Sequence, residues 1–423
     1  MTPSYRHRAA IAAFLAAAAS GVGCTSDPTD PAFTPPEDPL GVVQIAPGAA
    51  LKIGFWGVLS GPDAGLGVDA RRGVEIAIDD RSGELLGRTI NLVSQDAHCT
   101  PQGGTAAASN FAADASVVAL IGSVCSAEAV GGVPVVSAAG LTTISAVNTN
   151  PTFTDPAFRG PGGSLAESFA GYFRTAHSDA VQGMVAAQFA YHELGVRKAA
   201  TIHDGSSYPE ALQEVFAETF RDLGGTITSQ RAVSAAQEDM TGLLTEIAAE
   251  EPELIYLPVY IAAGSHIAAQ APGVSGLEEV KLLGADAMFS PDFVTAAGLA
   301  AEGVFLSAPD ASAYTGPYDS FLTKYRAKYG EPVSSFHAHG YDAANILFEA
   351  IERAAVSGPD GTLYIGRQAL RDEMFATSGH PGVLGTLSCN PYGDCSLPVI
   401  AIFEITATEV GGEWPPSPPV WRP

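Results

Sequence analysis

Positive charge is scarce in this chain. Its 423 residues carry 21 Lys and Arg against 46 Asp and Glu, a formal net charge of −25. Nucleic acid and polybasic membrane contacts both need clustered cations, so this balance excludes them as partners. Long apolar runs are missing as well. The stretch Ala9 to Ala19 near the N-terminus is too short to span a bilayer, and no other run is long and apolar enough to do so. Catalytic signatures are absent: there is no G-x-S-x-G elbow. "SGPDAGLG", Ser60 to Gly67, is Gly-rich but lacks both the G-x-G-x-x-G spacing and the lysine of a P-loop. His203 and Asp204 are adjacent at a strand end, which does not aim them together at Ser206 or Ser207. A hydrolase is the weakest reading, and no cofactor is implied.

Cysteine is sparse too. There are five, with no C-x-x-C and no His at ligand spacing, so no metal site is expected. Cys24 stands apart near the N-terminus. The other four suggest two disulfides if the protein is exported. Cys389 and Cys395 bracket "NPYGD", a turn sequence, so they close locally, and Cys99 and Cys125 remain for each other.

The N-terminus supports export. Arg6, His7 and Arg8 precede the short apolar run, and Gly21-Val22-Gly23-Cys24 resembles a bacterial lipobox, with Gly21 where Leu is usual. Residues 1–23 read as a signal peptide, Cys24 as a lipid anchor and 24–49, rich in Pro, Asp and Thr, as a flexible tether. Cleavage after Ala19 is the competing reading.

From Leu51 onward the chain alternates. "LKIGFWG", "RTINLVSQD", "SVVALIG" and "LTTISAV" read as strands separated by helical stretches. A second series, "KAATIHD", "TITSQRAV" and "ELIYLPVY", does the same. Alternation of this kind predicts α/β lobes, each a mostly parallel sheet flanked by helices. A Pro/Gly-rich break spans 150–168. The expected division is 50–168 plus 310–381 for lobe 1 and 169–309 plus 382–410 for lobe 2, with crossings also near Pro309 and Pro381. Residues 411–423 form a Pro-rich tail expected to lie outside the core. In open parallel sheets, ligands sit beyond the carboxyl ends of the strands. Ser126 lies there, after "VVALIG", where it either caps a helix or meets a ligand carboxylate at that helix's N-terminus.

An ordered set of motifs makes a resemblance specific. "LKIGFWGVLSGPDAGLG", "DAHC…IGSVCS", "TTISAVNTNPTFTD", "ATIHDGSSYPEAL", "ELIYLPVY", "LLGAD" and "AHGYDAANIL" are similar to those of the type I periplasmic solute-binding proteins for branched-chain amino acids, the receptors of ABC transporters. The resemblance covers roughly Leu51 to Phe403 and implies a two-lobed fold and no enzyme activity. It implies that Ser126 meets a ligand carboxylate and that Thr149 and the backbone of Val147 hold the amino-acid head group. Tyr208 and Tyr260 would close from lobe 2, Asp286 would take the ligand ammonium, and Phe336 would line the side-chain pocket. Leu66 stands where many relatives carry an aromatic over the ligand, and Pro209 follows Tyr208 where Gly is common; both bear on side-chain specificity. The loop between Cys389 and Cys395 looks like an addition. The implied partners are a small amino acid or related carboxylate and an ABC permease, with the membrane reached through the N-terminal lipid alone. The implied protein is a monomer facing the periplasm or cell exterior. A ligand-sensing receptor of the same fold, signalling to a membrane partner, is the alternative.

Overall fold

The computed structural model describes residues 33–158, 168–234, 236–396 and 398–423. The expected signal peptide and Cys24 lie outside them.

Two six-stranded sheets organise the chain. The first runs in the order Glu84–Leu85, Arg88–Asp96, Leu51–Gly57, Val117–Gly122, Thr143–Ser145, Tyr172–Arg174. All its pairings are parallel except the first. The second runs Ile400–Glu404, Phe305–Pro309, Lys281–Gly284, Leu254–Leu257, Lys198–His203, Thr226–Ala232. There only Ile400–Glu404 is antiparallel. Central strands are buried on both faces, which is why "VVALIG" and "LIYL" read as continuous apolar runs rather than alternating ones. This is the two-lobed arrangement that the alternation implies.

Helices cover each sheet. In the first lobe, Ala64–Asp80 crosses His337–Ala354 almost backbone to backbone. A Cβ on Gly73 would stand 1.9 Å from the His337 carbonyl oxygen, and one on Gly340 2.1 Å from that of Ala70. Only glycine permits that approach, and it seats the long helix against the sheet. Among the described residues, no helix is long and apolar enough to cross a membrane.

The strands place the crossings between lobes. Tyr172–Arg174 pairs with Thr143–Ser145, so the first sheet continues past the Ser168 boundary expected from the Pro/Gly-rich break. The second lobe's first helix is Asp179–Gln188. The chain returns after Pro309 and crosses a third time before Ile400. The hairpin of His380–Gly382 with Gly385–Leu387 straddles the expected boundary at Pro381.

Two further segments differ from expectation. Val42–Ile45, inside the stretch read as tether, pairs antiparallel with Leu363–Gly366. Val43 and Ile45 alternate with more exposed neighbours, a two-residue period too short to stand out among prolines. The Pro-rich tail is docked rather than free. Trp421 bridges to Ile402 on the outer strand of the second sheet, and the Trp414 ring lies 5.0 Å from that of Phe289. An edge strand offers unpaired backbone groups, and the tail covers them.

Candidate functional site

The strand ends of the two sheets face one cleft. Leu66, Val124, Ser126, Val147 and Thr149 line it from the first lobe, and Tyr208, Tyr260, Asp286 and Ala287 from the second. Seven of the eight residues singled out from sequence thus converge. The eighth, Phe336, does not line the cleft: its buried ring stacks on His177 at 6.2 Å within the core. Its position before a helix, next to polar residues, gives no sign of which way the ring turns. The free volume of the cleft is about 10 Å³. That lies below the roughly 300–1,000 Å³ of pockets for drug-sized ligands. A larger cavity, about 590 Å³ by the same measure, lies between Trp414–Ser417 and Tyr318, and none of the eight residues lines it.

Ser126 is the first residue of the helix Ser126–Ala138, and Cys125 is its N-cap. The capping role falls to Glu128, whose carboxylate accepts from the backbone N–H groups of Cys99 at 2.8 Å, Val124 at 3.0 Å and Cys125 at 2.9 Å. The Ser126 hydroxyl takes no part in these bonds and is left for the cleft. The helix N-terminus behind it favours negative charge. Burial pushes the Glu128 carboxyl up to about 7, against the pull of the three N–H donors. The Cys99–Cys125 disulfide ties this rim together, with Cα atoms 5.2 Å apart.

Val147 and Thr149 follow the strand Thr143–Ser145. The Val147 N–H donates to Ser145 Oγ at 3.1 Å, so its carbonyl is the backbone group left for a ligand. The Thr149 carbonyl accepts from the Asp179 N–H at 2.9 Å, which joins the lobes directly behind the cleft.

On the facing side, Asp286 opens a short turn after Lys281–Gly284. Its Oδ1 accepts from the Tyr208 hydroxyl at 2.7 Å and from Gln182 Nε2 at 2.8 Å. Gln182 is itself held by Ser307, and its Oε1 lies 2.6 Å from His177 Nε2. Burial lifts the phenols of Tyr208 and Tyr260 well above their usual value, so both remain protonated donors. The two rings lie 5.6 Å apart. The Tyr260 ring packs on the cores of both lobes.

Further contacts cross the cleft. Asn150 Nδ2 donates to the Ser207 carbonyl at 2.6 Å. Asp63, from the loop before Ala64–Asp80, faces Ile261 and Asp204 at the N-terminus of Ile261–Gln270; burial first, then Asp204, raise it to about 6. Sequence reasoning passes over Asp63, Val124, Glu128, Asp179, Gln182 and Ala287. Asp179 and Gln182 carry a usable signal: two polar residues at i and i+3 on the buried face of an otherwise apolar helix.

Comparison with known proteins agrees with this architecture. The periplasmic binding protein family matches residues 50–389. The chain is similar to Leu/Ile/Val-binding protein homolog 3 of Brucella melitensis, 26% identical over 84% of this chain and 91% of that one. It is similar to the leucine-, isoleucine-, valine-, threonine- and alanine-binding protein of Pseudomonas aeruginosa, 25% identical over 85% and 92%. In fold it resembles the leucine-binding protein LivK of Thermotoga maritima, with a TM-score of 0.73, 24% identity and coverage of 84% and 96%. It also resembles a solute-binding protein of an R. palustris ABC transporter solved with benzoate, with a TM-score of 0.71, 22% identity and coverage of 84% and 93%. The family match spans most of the chain, and the protein belongs to the periplasmic binding protein family.

Proposed function

We propose that this chain is an exported, lipid-anchored receptor that traps an α-amino acid between its lobes and delivers it to an ABC permease. One observation carries the reading: a hydroxyl at a helix N-terminus, Ser126, faces a buried carboxylate, Asp286, across a cleft that only two lobes together enclose. A zwitterion needs that separation of donors and acceptor. Its carboxylate takes Ser126 and Thr149, and its ammonium takes Asp286 Oδ2 and the Val147 carbonyl. Charge-assisted bonds in a desolvated site are the strong ones. Leu66 sits beside the head-group positions and shapes the side-chain end. The relatives named for leucine, isoleucine and valine support the amino-acid class, and Asp286 weighs against a plain carboxylate such as benzoate, which brings no cation to it.

Closure traps the ligand, since the lobes stand close and a ligand enters by parting them. A thermal-shift screen of the twenty amino acids against their deaminated acids and benzoate tests the ligand class, because a ligand that binds only the native state raises its melting temperature. Shifts with amino acids alone are expected; shifts with benzoate alone overturn the reading. Mass spectrometry of membrane-extracted protein tests the anchor: a mature chain beginning at an acylated Cys24 is expected, and one beginning at Ser20 without acyl mass removes it.

A further inference from the structure

Behind Asp286 lies a second acid that no ligand role yet uses. Asp179 opens the helix Asp179–Gln188 and is wholly buried. Neither of its carboxyl oxygens makes a well-formed hydrogen bond, although the Thr149 hydroxyl is a neighbouring donor. Unpartnered buried carboxyl oxygens are costly if the group is ionised. The groups facing it from the surrounding elements offer little compensation. Asp286 contributes like charge, and the phenols of Tyr208 and Tyr256 are neutral. His177 is held neutral by burial. Arg174 pairs with Asp394 and the Asn150 carbonyl; its Nη2 has no partner, and its charge favours ionised Asp179 less than burial and Asp286 oppose it. Two carboxyl groups thus share a buried pocket in which Arg174 is the one facing cation among the described residues, already paired with Asp394, and one of the two, Asp286, lines the ligand cleft.

We propose that Asp179 is a specificity-determining residue of the ligand site, holding a proton until a ligand's ammonium reaches Asp286 and then losing it to solvent. The inference rests on the amino-acid reading above. The balance is simple: ligand binds, one O–H bond on Asp179 breaks, and the proton leaves to buffer. The ammonium cancels the charge on Asp286 that had opposed ionisation of Asp179, and a neighbouring cation favours a charged carboxylate. Ionised Asp179 then adds its own attraction for the ammonium. A ligand without an ammonium leaves both effects unused, so the pair selects for a cationic head group more sharply than Asp286 alone. Burial supports the same direction, lifting the Asp179 carboxyl well above the usual carboxylate range.

Calorimetry in buffers of different ionisation enthalpy counts the protons released on binding, across pH 5 to 9. The probe is L-leucine, or the α-amino acid that the screen ranks above it, paired with the same acid lacking its amino group. Asp63, raised to about 6 where both lobes bury it, would work in the opposite sense if closure is what buries it, so the readout is a difference. Wild type is expected to release up to about one proton more per ligand than Asp179→Asn, with affinity rising by up to about tenfold per pH unit over the same interval. If Asp179→Asn fails to fold, the wild type carries the test: the amino acid should release more protons than its deaminated partner. Equal proton counts with tight amino-acid binding overturn the role of Asp179 and leave the amino-acid reading standing. Binding of deaminated acids alone overturns both.

Discussion

The Tyr208 hydroxyl and Gln182 amide both donate to one oxygen of Asp286, Oδ1, at 2.7 and 2.8 Å. Two donors on one oxygen hold the carboxylate in a fixed orientation and leave Oδ2 toward the cleft. Truncating one partner of a desolvated charge pair costs about 2–5 kcal/mol. Asp286→Ala should therefore weaken amino-acid binding roughly thirtyfold or more, at about 1.4 kcal/mol per tenfold. Asp286→Asn should be nearly as harmful, because it keeps the shape and loses the charge. Tyr208→Phe removes one bond to a charged group, about 1.5–3 kcal/mol, and should cost roughly tenfold to a hundredfold. Isothermal calorimetry decides; full affinity in both Asp286 variants would make Asp286 structural.

The loop between Cys389 and Cys395 is tied to the first crossing. Arg174, buried in the first sheet, pairs with Asp394 inside that loop, and the Cys395 N–H donates to the Arg174 carbonyl at 2.8 Å. Thr154 also donates to Asp394, at 2.9 Å. The apparent addition is a clasp around the chain as it passes between lobes. Breaking a buried pair by removing one partner costs about 3–5 kcal/mol, and Asp394 is partly exposed, so Asp394→Ala should fall at or below the low end of that range. Chemical denaturation should show the loss. Reduction of the disulfide in wild type should lower stability in the same direction, and an unchanged midpoint in both experiments would remove the clasp.

Much of this architecture is legible in the amino-acid sequence alone. Continuous apolar runs mark the central strands because both faces of those sheets are covered. Residues just after strand ends mark the cleft because parallel sheets gather those ends. What escapes depends on side-chain direction or on the partner of a short segment. Phe336 turns into the core toward His177, and nothing in "SSFHAHG" encodes that turn. Val42–Ile45 is a strand only because Leu363–Gly366 lies beside it, more than three hundred residues away in sequence. Glu128 takes the capping role from Ser126 because an acid at the third helical position reaches back to the backbone N–H groups before the helix, a pattern visible in "CSAE" but overshadowed by the serine.

Glu128 also sets a pH dependence. Its carboxyl, pushed up to about 7 by burial, has a usual value of 4.5. A raised acid contributes stability that is fully present below the unfolded value and is lost as pH rises through the folded one. Gln cannot ionise, so the stability of wild type relative to Glu128→Gln should decline from about pH 5 to about pH 8. Buried histidines such as His339 act in the opposite sense but are common to both proteins and cancel in the difference. Glu128→Ala leaves three N–H groups without their acceptor and should destabilise at every pH, by about 1–3 kcal/mol for each group that water does not reach. Paired melting curves across this range check both statements; parallel curves for wild type and Glu128→Gln would mean that the group stays ionised, held by its three donors.

The tail offers the last test. Val420 and Trp421 bond to Ile402 through the backbone, Trp421 packs 5.7 Å from Phe189, and Arg422 pairs with Asp310 at 2.6 Å. Asp310 is buried immediately after Pro309, where the chain leaves the second sheet. The segment therefore covers the sheet's edge strand and ends at a crossing between lobes. Fully burying a large apolar side chain contributes about 1.5–3 kcal/mol, and Trp421 is partly buried. Trp421→Ala should lower the melting temperature by several degrees, and deletion of residues 413–423 should lower it further, since it also removes Trp414 and the Arg422–Asp310 pair. Arg422→Ala isolates the crossing: it strips the partner from a buried carboxylate without baring the edge strand, so it should loosen closure more than it melts the lobe. Small-angle scattering with and without ligand reads closure, and differential scanning calorimetry reads melting. A deletion that leaves both unchanged would show the tail resting on the second lobe without supporting it.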